Sequence, residues 1–330
     1  MEKLLFLEKE DKQKIIFILK QQLKDIFEAG EKIAVKLHMG EEGNKFYLKP
    51  ERIKPFVEAL KQLGYKPFLF DSPVMYEGQR NTEEKYLKTA KKHGFDSLGV
   101  PIIISNEHII VKMPHLTAEV CKILAEADGV LILSHVKGHI CCGFGGAIKN
   151  LGMGAMSKKT KEDIHEGGKP VYKEGCIICG RCEQVCPTRN VRYENNRPYF
   201  DKTWCCGCSN CAIFCPVQAI KPKNAPFDTL LAEGAAAALK SFKKYYCVNV
   251  IMDIVKYCDC MTRKNPIVAE DIGIVFGKDI IAVEKASMDL INKQSGKDLF
   301  EEIHHKSPLK HIEEAERLGM GKKEYSIEKV

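Results

Sequence analysis

The sequence has no run of apolar residues long enough to cross a membrane as a helix. Its first ten residues hold only a short apolar stretch broken by Glu and Lys, without the longer apolar region and small-residue cleavage site of a secretory signal. These absences lead to the expectation of a cytoplasmic protein with no membrane partner. Arg-rich and aromatic-interleaved basic runs are also missing. The net charge of +7, from 51 basic and 44 acidic residues, is small for 330 residues, so nucleic acid is not an expected partner. No Gly-Lys-Ser/Thr string occurs, which excludes a P-loop. Gly143-Phe-Gly145 is followed by Ile148 where a dinucleotide fingerprint needs its third glycine. Tryptophan is reduced to one residue, Trp204.

Cysteine, by contrast, is abundant. Of 15 cysteines, eight fall into two copies of Cys-x-x-Cys-x-x-Cys-x-x-x-Cys-Pro. The first copy is Cys176, Cys179, Cys182, Cys186 and Pro187; the second, 29 residues on, is Cys205, Cys208, Cys211, Cys215 and Pro216. Thiolates at this spacing are what a 4Fe–4S cubane needs, and in two-cluster ferredoxins the fourth cysteine ligates the other cluster. Two 4Fe–4S clusters are therefore expected. One takes Cys176, Cys179, Cys182 and Cys215; the other takes Cys205, Cys208, Cys211 and Cys186. Zinc is the competing reading, but zinc sites draw four ligands from two pairs, which the three-plus-one spacing does not suit. Cys206 is out of register and reads as a bystander. Trp204 is expected to shield the second cluster. Clusters of this kind call for a reducing compartment and suit an anaerobe.

Around the cysteines the pattern is α/β. Strand-like segments at 32–38, 66–71, 129–134, 245–251 and 271–276 alternate with helix-like segments at 50–64, 82–93, 228–242, 279–292 and 308–318. Segments 101–105 and 108–112 read as a β pair turning at Asn106-Glu107, and 116–127 reads as a helix. The expected fold is a mainly parallel layered sheet domain, residues 1–166 and 224–330, with an inserted small ferredoxin-like α+β module at 167–223. Three consecutive domains are the alternative. Insertion is preferred because neither flank alone has enough strands for a full sheet.

Two further constellations stand outside the module. The stretch from Ser134 to Gly154 follows a buried strand and concentrates Lys, His, Cys and Gly. Ligands of α/β sheets bind beyond the carboxyl ends of strands. Lys137, His139, Lys149 and Asn150 are therefore candidate ligand-binding residues for a small anion; a glycine-rich loop that merely packs is the alternative. Cys258 and Cys260 flank Asp259 and are candidates for a further metal or for redox chemistry, buried inert thiols being the alternative. With Cys247 and Cys141-Cys142 they could assemble a third metal site if the fold brought them together. Asp279 reads as the N-cap of the following helix.

Several of these strings resemble the uncharacterised iron–sulfur-centre proteins grouped as domain-of-unknown-function family number 362. The residues that carry the resemblance are His135-Val-Lys-Gly-His139, Gly146-Ala-Ile-Lys-Asn-Leu-Gly-Met-Gly154, the cysteine pair of motifs, Cys258-Asp-Cys260, Asp271-Ile-Gly273 and Asp279-Ile-Ile-Ala-Val-Glu284. Members often carry Asp where this chain has Glu284. The resemblance implies an architecture and a cofactor, not a substrate. The leading expectation is electron transfer, or an oxidoreductase acting on or beside a small anionic ligand, with a ferredoxin-type donor or acceptor protein as redox partner. A non-catalytic Fe–S scaffold or binding module that delivers sulfur or metal to a partner is the alternative.

Overall fold

The computed structural model describes residues 2–262 and 264–330. Eight strands make one sheet: β1 (Glu2–Leu7), β2 (Lys32–Lys36), β3 (Lys66–Asp71), β4 (Ile102–Ile104), β5 (Gly129–His135), β6 (Tyr245–Ile251), β7 (Gly273–Gly277) and β8 (Tyr325–Lys329). Their order is β8-β1-β7-β6-β5-β2-β3-β4. From β6 to β4 every pairing is parallel. β7 is antiparallel to both β6 and β1, and β8 is parallel to β1, so β7 alone runs against the rest. The central strands bury both faces, as Val130, Leu131, Ile132 and Leu133 show, because helices cover the sheet on each side. On one side lie α1 (Lys12–Leu23), α2 (Pro50–Gln62) and α3 (Glu83–Lys92). On the other lie α4 (Ala147–Gly154), α5 (Lys158–Gly167), α6 (Phe227–Ser241), α7 (Ile280–Ser295) and α8 (Leu309–Arg317).

The mainly parallel α/β architecture expected from the periodicity is what forms. Two local readings need correction. The 108–112 strand does not pair with 101–105. Ile102–Ile104 is captured by the free edge of β3, and His108–Lys112 pairs instead with a strand at Thr117–Cys121. That second strand replaces most of the helix expected at 116–127, of which only Lys122–Glu126 is helical. Its alternation of exposed Thr117, buried Ala118, half-buried Glu119 and buried Val120 has a period of two, and Cys121 N–H bonds the Ala155 carbonyl rather than a helical turn. The strand expected from Asp271 begins at Gly273. Asp279 does cap α7, its carboxylate accepting from Ile281 and Ala282 N–H.

Both flanks of the cysteine-rich segment contribute strands to the one sheet. The segment itself is entered and left through a crossing pair, Pro170–Tyr172 with Ile220–Pro222. Between these lie a hairpin (Val191–Glu194 with Arg197–Phe200) and two one-turn helices, Arg181–Gln184 and Asn210–Ile213. The sequence repeat recurs in the backbone. Left-handed φ values occur at Ile178 and Gly207, at Gly180 and Ser209, and at Arg189 and Gln218, each pair 29 residues apart. The segment has its own small core, in which Cys182 and Cys211 pack with Val191 and Ile220.

The helix that matters most for the site is α4, and its position is set by close contact with α6. Every residue of α6 from Phe227 to Ala238 is buried. Its small side chains let neighbouring helix axes approach, since interaxial distance follows the side chains at the contact. At the crossing, a Cβ on Gly152 would lie 2.4 Å from the Leu231 carbonyl oxygen, and one on Gly234 would lie 2.9 Å from that of Gly152. Gly152→Ala is therefore expected to destabilise the chain by about 1–3 kcal/mol through overpacking, read as a lowered urea midpoint under anaerobic conditions; an unchanged midpoint would show that the two helices can part without cost.

Candidate functional site

The strand order reverses between β2 and β5. From β2 the chain runs outward to β3 and β4, then returns to β5 on the other side of β2 and continues to β6. A crevice at such a switch point, outside the carboxyl ends of the strands, is where open α/β sheets bind ligands. A cleft of about 690 Å³ opens there. Its walls come from the ends of β2 (Lys36, His38), β3 (Asp71) and β5 (His135, Lys137), from α4 (Lys149), and from the segment after β6 (Cys258 to Cys260). The cysteine-rich segment closes one side with Cys205 and Cys206.

The charges around the cleft are mostly paired. Lys36 meets Asp71 at 3.1 Å and Arg80 meets Glu41 at 3.0 Å, all four being buried. Lys137 is ion-paired with Asp259, and His135 Nδ1 lies 3.2 Å from the same carboxylate oxygen. Burial alone would raise the Asp259 pKa, but Lys137 and His135 hold it far below the usual carboxylate range. Lys149 and Lys161 have no carboxylate partner among the described residues. Lys161 spends its ammonium on Ser72 Oγ (2.7 Å) and the Pro73 carbonyl (2.5 Å). Burial lowers its pKa to about 8. Burial would also lower Lys149, but the facing sulfurs of Cys260 and Cys258 hold its ammonium charged. Acidic residues at the rim are engaged elsewhere: Asp163 with Lys159, and Glu166 with Lys169 and Lys223.

The four residues expected to bind a small anion all line this cleft, in different roles. Lys149 faces it with no carboxylate partner among the described residues. Lys137 is already neutralised by Asp259. Asn150 saturates its amide on the scaffold: Oδ1 accepts from Lys36 Nζ at 2.6 Å, and Nδ2 donates to Ser134 Oγ and to the Lys36 and Leu133 carbonyls. It therefore ties α4 to the ends of β2 and β5. His139 is buried, and burial together with Lys149 lowers its pKa, leaving a neutral ring beside Cys142 Sγ at 3.0 Å. The first turn of α4 is held by a carboxylate from another helix. Glu284 accepts from Ala147 N–H (2.6 Å) and Ile148 N–H (3.3 Å), and Asn249 steadies it at 3.1 Å.

Cys258 and Cys260 sit in a tight turn in which Met261 N–H bonds the Cys258 carbonyl at 2.9 Å. Asn44 pins the turn by donating to the Asp259 and Met261 carbonyls. Cys258, together with Lys149, His38 and Arg80, holds the Cys260 pKa well below its usual value against the effect of burial, while Cys260 and burial raise that of Cys258. Cys247 does not join them: it is buried in the sheet, with Asp279, Glu284 and Glu2 as its charged neighbours. Among the described residues no three His, Cys, Asp or Glu side chains converge on a point suited to a single ion.

Within the cysteine-rich segment, one small cavity is lined together by Cys186, Cys205, Cys208 and Cys211. Cys182 lies in the segment's small core, and Cys186 and Cys215 pack against it. Cys179 is exposed. Backbone amides already donate to two of these sulfurs, Ile178 N–H to Cys176 (3.4 Å) and Asn190 N–H to Cys186 (3.3 Å). The thiols of Cys186, Cys205, Cys208 and Cys211 around one cavity, with an amide donating to Cys186 sulfur, form a donor set that suits a cubane, whose four thiolates sit on four separate irons. Cys206, read as a bystander rather than a ligand, lines both the small cavity and the cleft. Trp204, expected to shield the second cluster, is 73% exposed. Sequence reasoning missed His38, Arg80, Lys36 and Lys161, which lie far apart in the chain and carry no local motif.

Fold and site together define an α/β protein with a ferredoxin-like iron–sulfur segment. The model of the domain of unknown function DUF362 matches residues 33–289. The chain belongs to that family. An uncharacterized ferredoxin of Methanocaldococcus jannaschii is 42% identical over 63 residues, 16% of this chain and 82% of its own length. Pyruvate synthase subunit PorD of Methanothermobacter marburgensis is 36% identical over 66 residues, 20% of this chain and 78% of its own. Another uncharacterized M. jannaschii ferredoxin is 36% identical over 59 residues, 17% of this chain and 37% of its own. Across three curated relatives, that last ferredoxin and two others, the chain spans between 23% and 49% of their length. Among solved structures, a Thermotoga maritima protein aligns with a TM-score of 0.47 at 10% identity, covering 88% of this chain and 60% of its own. The lactate racemase apoprotein of Thermoanaerobacterium thermosaccharolyticum aligns at 0.38 and 15%, covering 77% and 51%. Among the described residues no helix is long and apolar enough to cross a membrane.

The buried Lys161 gives a pH signature. Its folded pKa of about 8 lies below its ordinary 10.5, so between those values the unfolded chain holds a proton that the folded chain has lost. Stability from this group therefore rises with pH across that window. The stability of the wild type relative to Lys161→Met is expected to climb from about pH 8 to about pH 10, measured by urea unfolding; a flat difference would place the ammonium in a solvated setting.

Proposed function

We propose that the chain is an electron-transfer protein or ferredoxin-linked oxidoreductase that carries two 4Fe–4S clusters and holds a small anionic ligand in the sheet-end cleft beside them. Residues 167–223 form the inserted module, and residues 1–166 with 224–330 form the α/β domain. Cys176, Cys179, Cys182 and Cys215 would hold one cluster; Cys205, Cys208, Cys211 and Cys186 would hold the other. A bound cluster of this type takes up and releases one electron at a time. The observation that carries the reading is that Cys205 and Cys206 share a cleft with the free ammonium of Lys149.

The chain's own residues divide the work. Lys149 supplies the positive charge that an anion would meet. Glu284 and Asn150 fix α4, and so fix where that charge stands. The Lys137–Asp259 pair builds the floor without adding net charge. Away from the cleft, Cys179 is exposed beside Ile177 (60% exposed) and Ile178 (50%), an apolar rim suited to a ferredoxin-type partner. Thiols this exposed persist in a reducing cytoplasm.

Anaerobic reconstitution with iron and sulfide tests the cofactor. About eight irons per chain are expected, with visible absorbance that bleaches on dithionite; a colourless chain with about one zinc would refute the reading. Inorganic phosphate serves as an anionic probe of the cleft. Lys149→Ala is expected to weaken its binding about tenfold, the loss of one charge-assisted hydrogen bond. Equal affinity in the two proteins, by calorimetry, would remove Lys149 from the site.

A further inference from the structure

The geometry points to Cys258 and Cys260 as a redox-active dithiol–disulfide pair that stores two electrons at the cleft. The inference rests on the iron–sulfur reading and deepens it, by giving carriers of single electrons a place where two can be collected.

Three observations support the pair. First, the turn closed by Met261 N–H on the Cys258 carbonyl sets the two cysteines, two residues apart, on one short stretch of the cleft wall. Residues two apart in a tight turn lie within the separation that a disulfide can bridge, though with strain. Strained disulfides have the higher potentials and are the labile, catalytic ones. Second, the turn is anchored rather than floppy. Asp259 is ion-paired with Lys137 and lies 3.2 Å from His135 Nδ1, and Asn44 grips the carbonyls on either side of Cys260. Breaking or making an S–S bond there needs little movement of the surrounding wall. Third, the pair opens on the same cleft as Cys205 and Cys206 of the cysteine-rich segment. Electrons reaching that segment therefore arrive in the cavity that holds the two thiols.

The chemistry balances within this set. The oxidised pair takes two electrons, one after the other, from a low-potential ferredoxin-type donor by way of the module. The S–S bond breaks, one proton goes to Cys258, and Cys260 is left as a thiolate facing Lys149, His38 and Arg80, with His38 Nε2 3.6 Å from its sulfur. In the reverse sense the dithiol gives two electrons and one proton to a two-electron acceptor in the cleft, and the disulfide re-forms. Cationic neighbours around a thiolate are the setting in which cysteines become reactive.

Two measurements test this. In the first, the iron-loaded chain is oxidised with a mild dye and titrated anaerobically with dithionite. The wild type is expected to take up about four electrons, two for the clusters and two for the pair. The Cys258→Ser and Cys260→Ser chains should take up about two while bleaching to the same extent. Full iron content with two-electron uptake in all three proteins would overturn the pair and leave the iron–sulfur reading intact. The second measurement needs no variant and no iron. Cleavage after Lys256 and Arg263 releases a peptide holding only these two cysteines. After equilibration in a glutathione redox buffer, that peptide should pass from doubly alkylated to an unalkylated form two hydrogens lighter than the free dithiol as the buffer is made more oxidising. A peptide that stays doubly alkylated throughout, or that forms only mixed disulfides with glutathione, overturns the inference even if the chain binds no iron.

Discussion

A single buried carboxylate, Asp259, organises the cleft. It lies between two cysteines in the chain and between Lys137 and His135 in space. Removing one partner from a buried ion pair leaves an uncompensated charge, which costs several times what an exposed pair is worth. That asymmetry explains why the turn bearing Cys258 and Cys260 can be both close to solvent and fixed. It also explains why the Lys137 ammonium is spent on structure. The positive charge available to a ligand then comes from Lys149, one helix away.

The second fixed element is α4. It is held from three directions: Glu284 at its N-terminal amides, Asn150 on the ends of β2 and β5, and Gly152 against α6. The run Lys149-Asn-Leu-Gly152 thus places a cation, a strand tie, a core contact and a close helix crossing in consecutive positions. Among the described residues the cation has no carboxylate partner, while the amide beside it is fully engaged by the scaffold. Packing that admits so little adjustment keeps Lys149 at one height above the strand ends, with the cysteine-rich segment opposite.

Much of this was legible in the chain. The cysteine spacing predicted a repeated module, and the repeat returns in the backbone at left-handed positions 29 residues apart. The buried strands 129–134 and 245–251 were readable because parallel sheets leave long apolar runs. The segment 116–127 was misread because Leu116, Val120, Leu124 and Ala127 fit a helical period as well as a strand followed by a short helix. The outer strands β1 and β8 went unseen because they are only partly buried and mix charged with apolar residues. At the site, Lys137, His139, Lys149, Asn150, Cys258 and Cys260 were all found on one cleft. What sequence could not show was which of them had partners. Lys36 lies more than a hundred residues from Asn150, and His135 a similar distance from Asp259. Pairing across such separations is set by the sheet order, and no local pattern announces it.

The central claim is that a two-cluster cysteine module and the sheet-end cleft form one redox site. Anomalous iron scattering from crystals grown without oxygen, using the full chain loaded with iron and sulfide, tests it most directly. Two separate iron centres are predicted, one of them between Cys186, Cys205, Cys208 and Cys211 at the wall shared with the cleft. A single centre, or iron bound only away from these cysteines, would contradict the account.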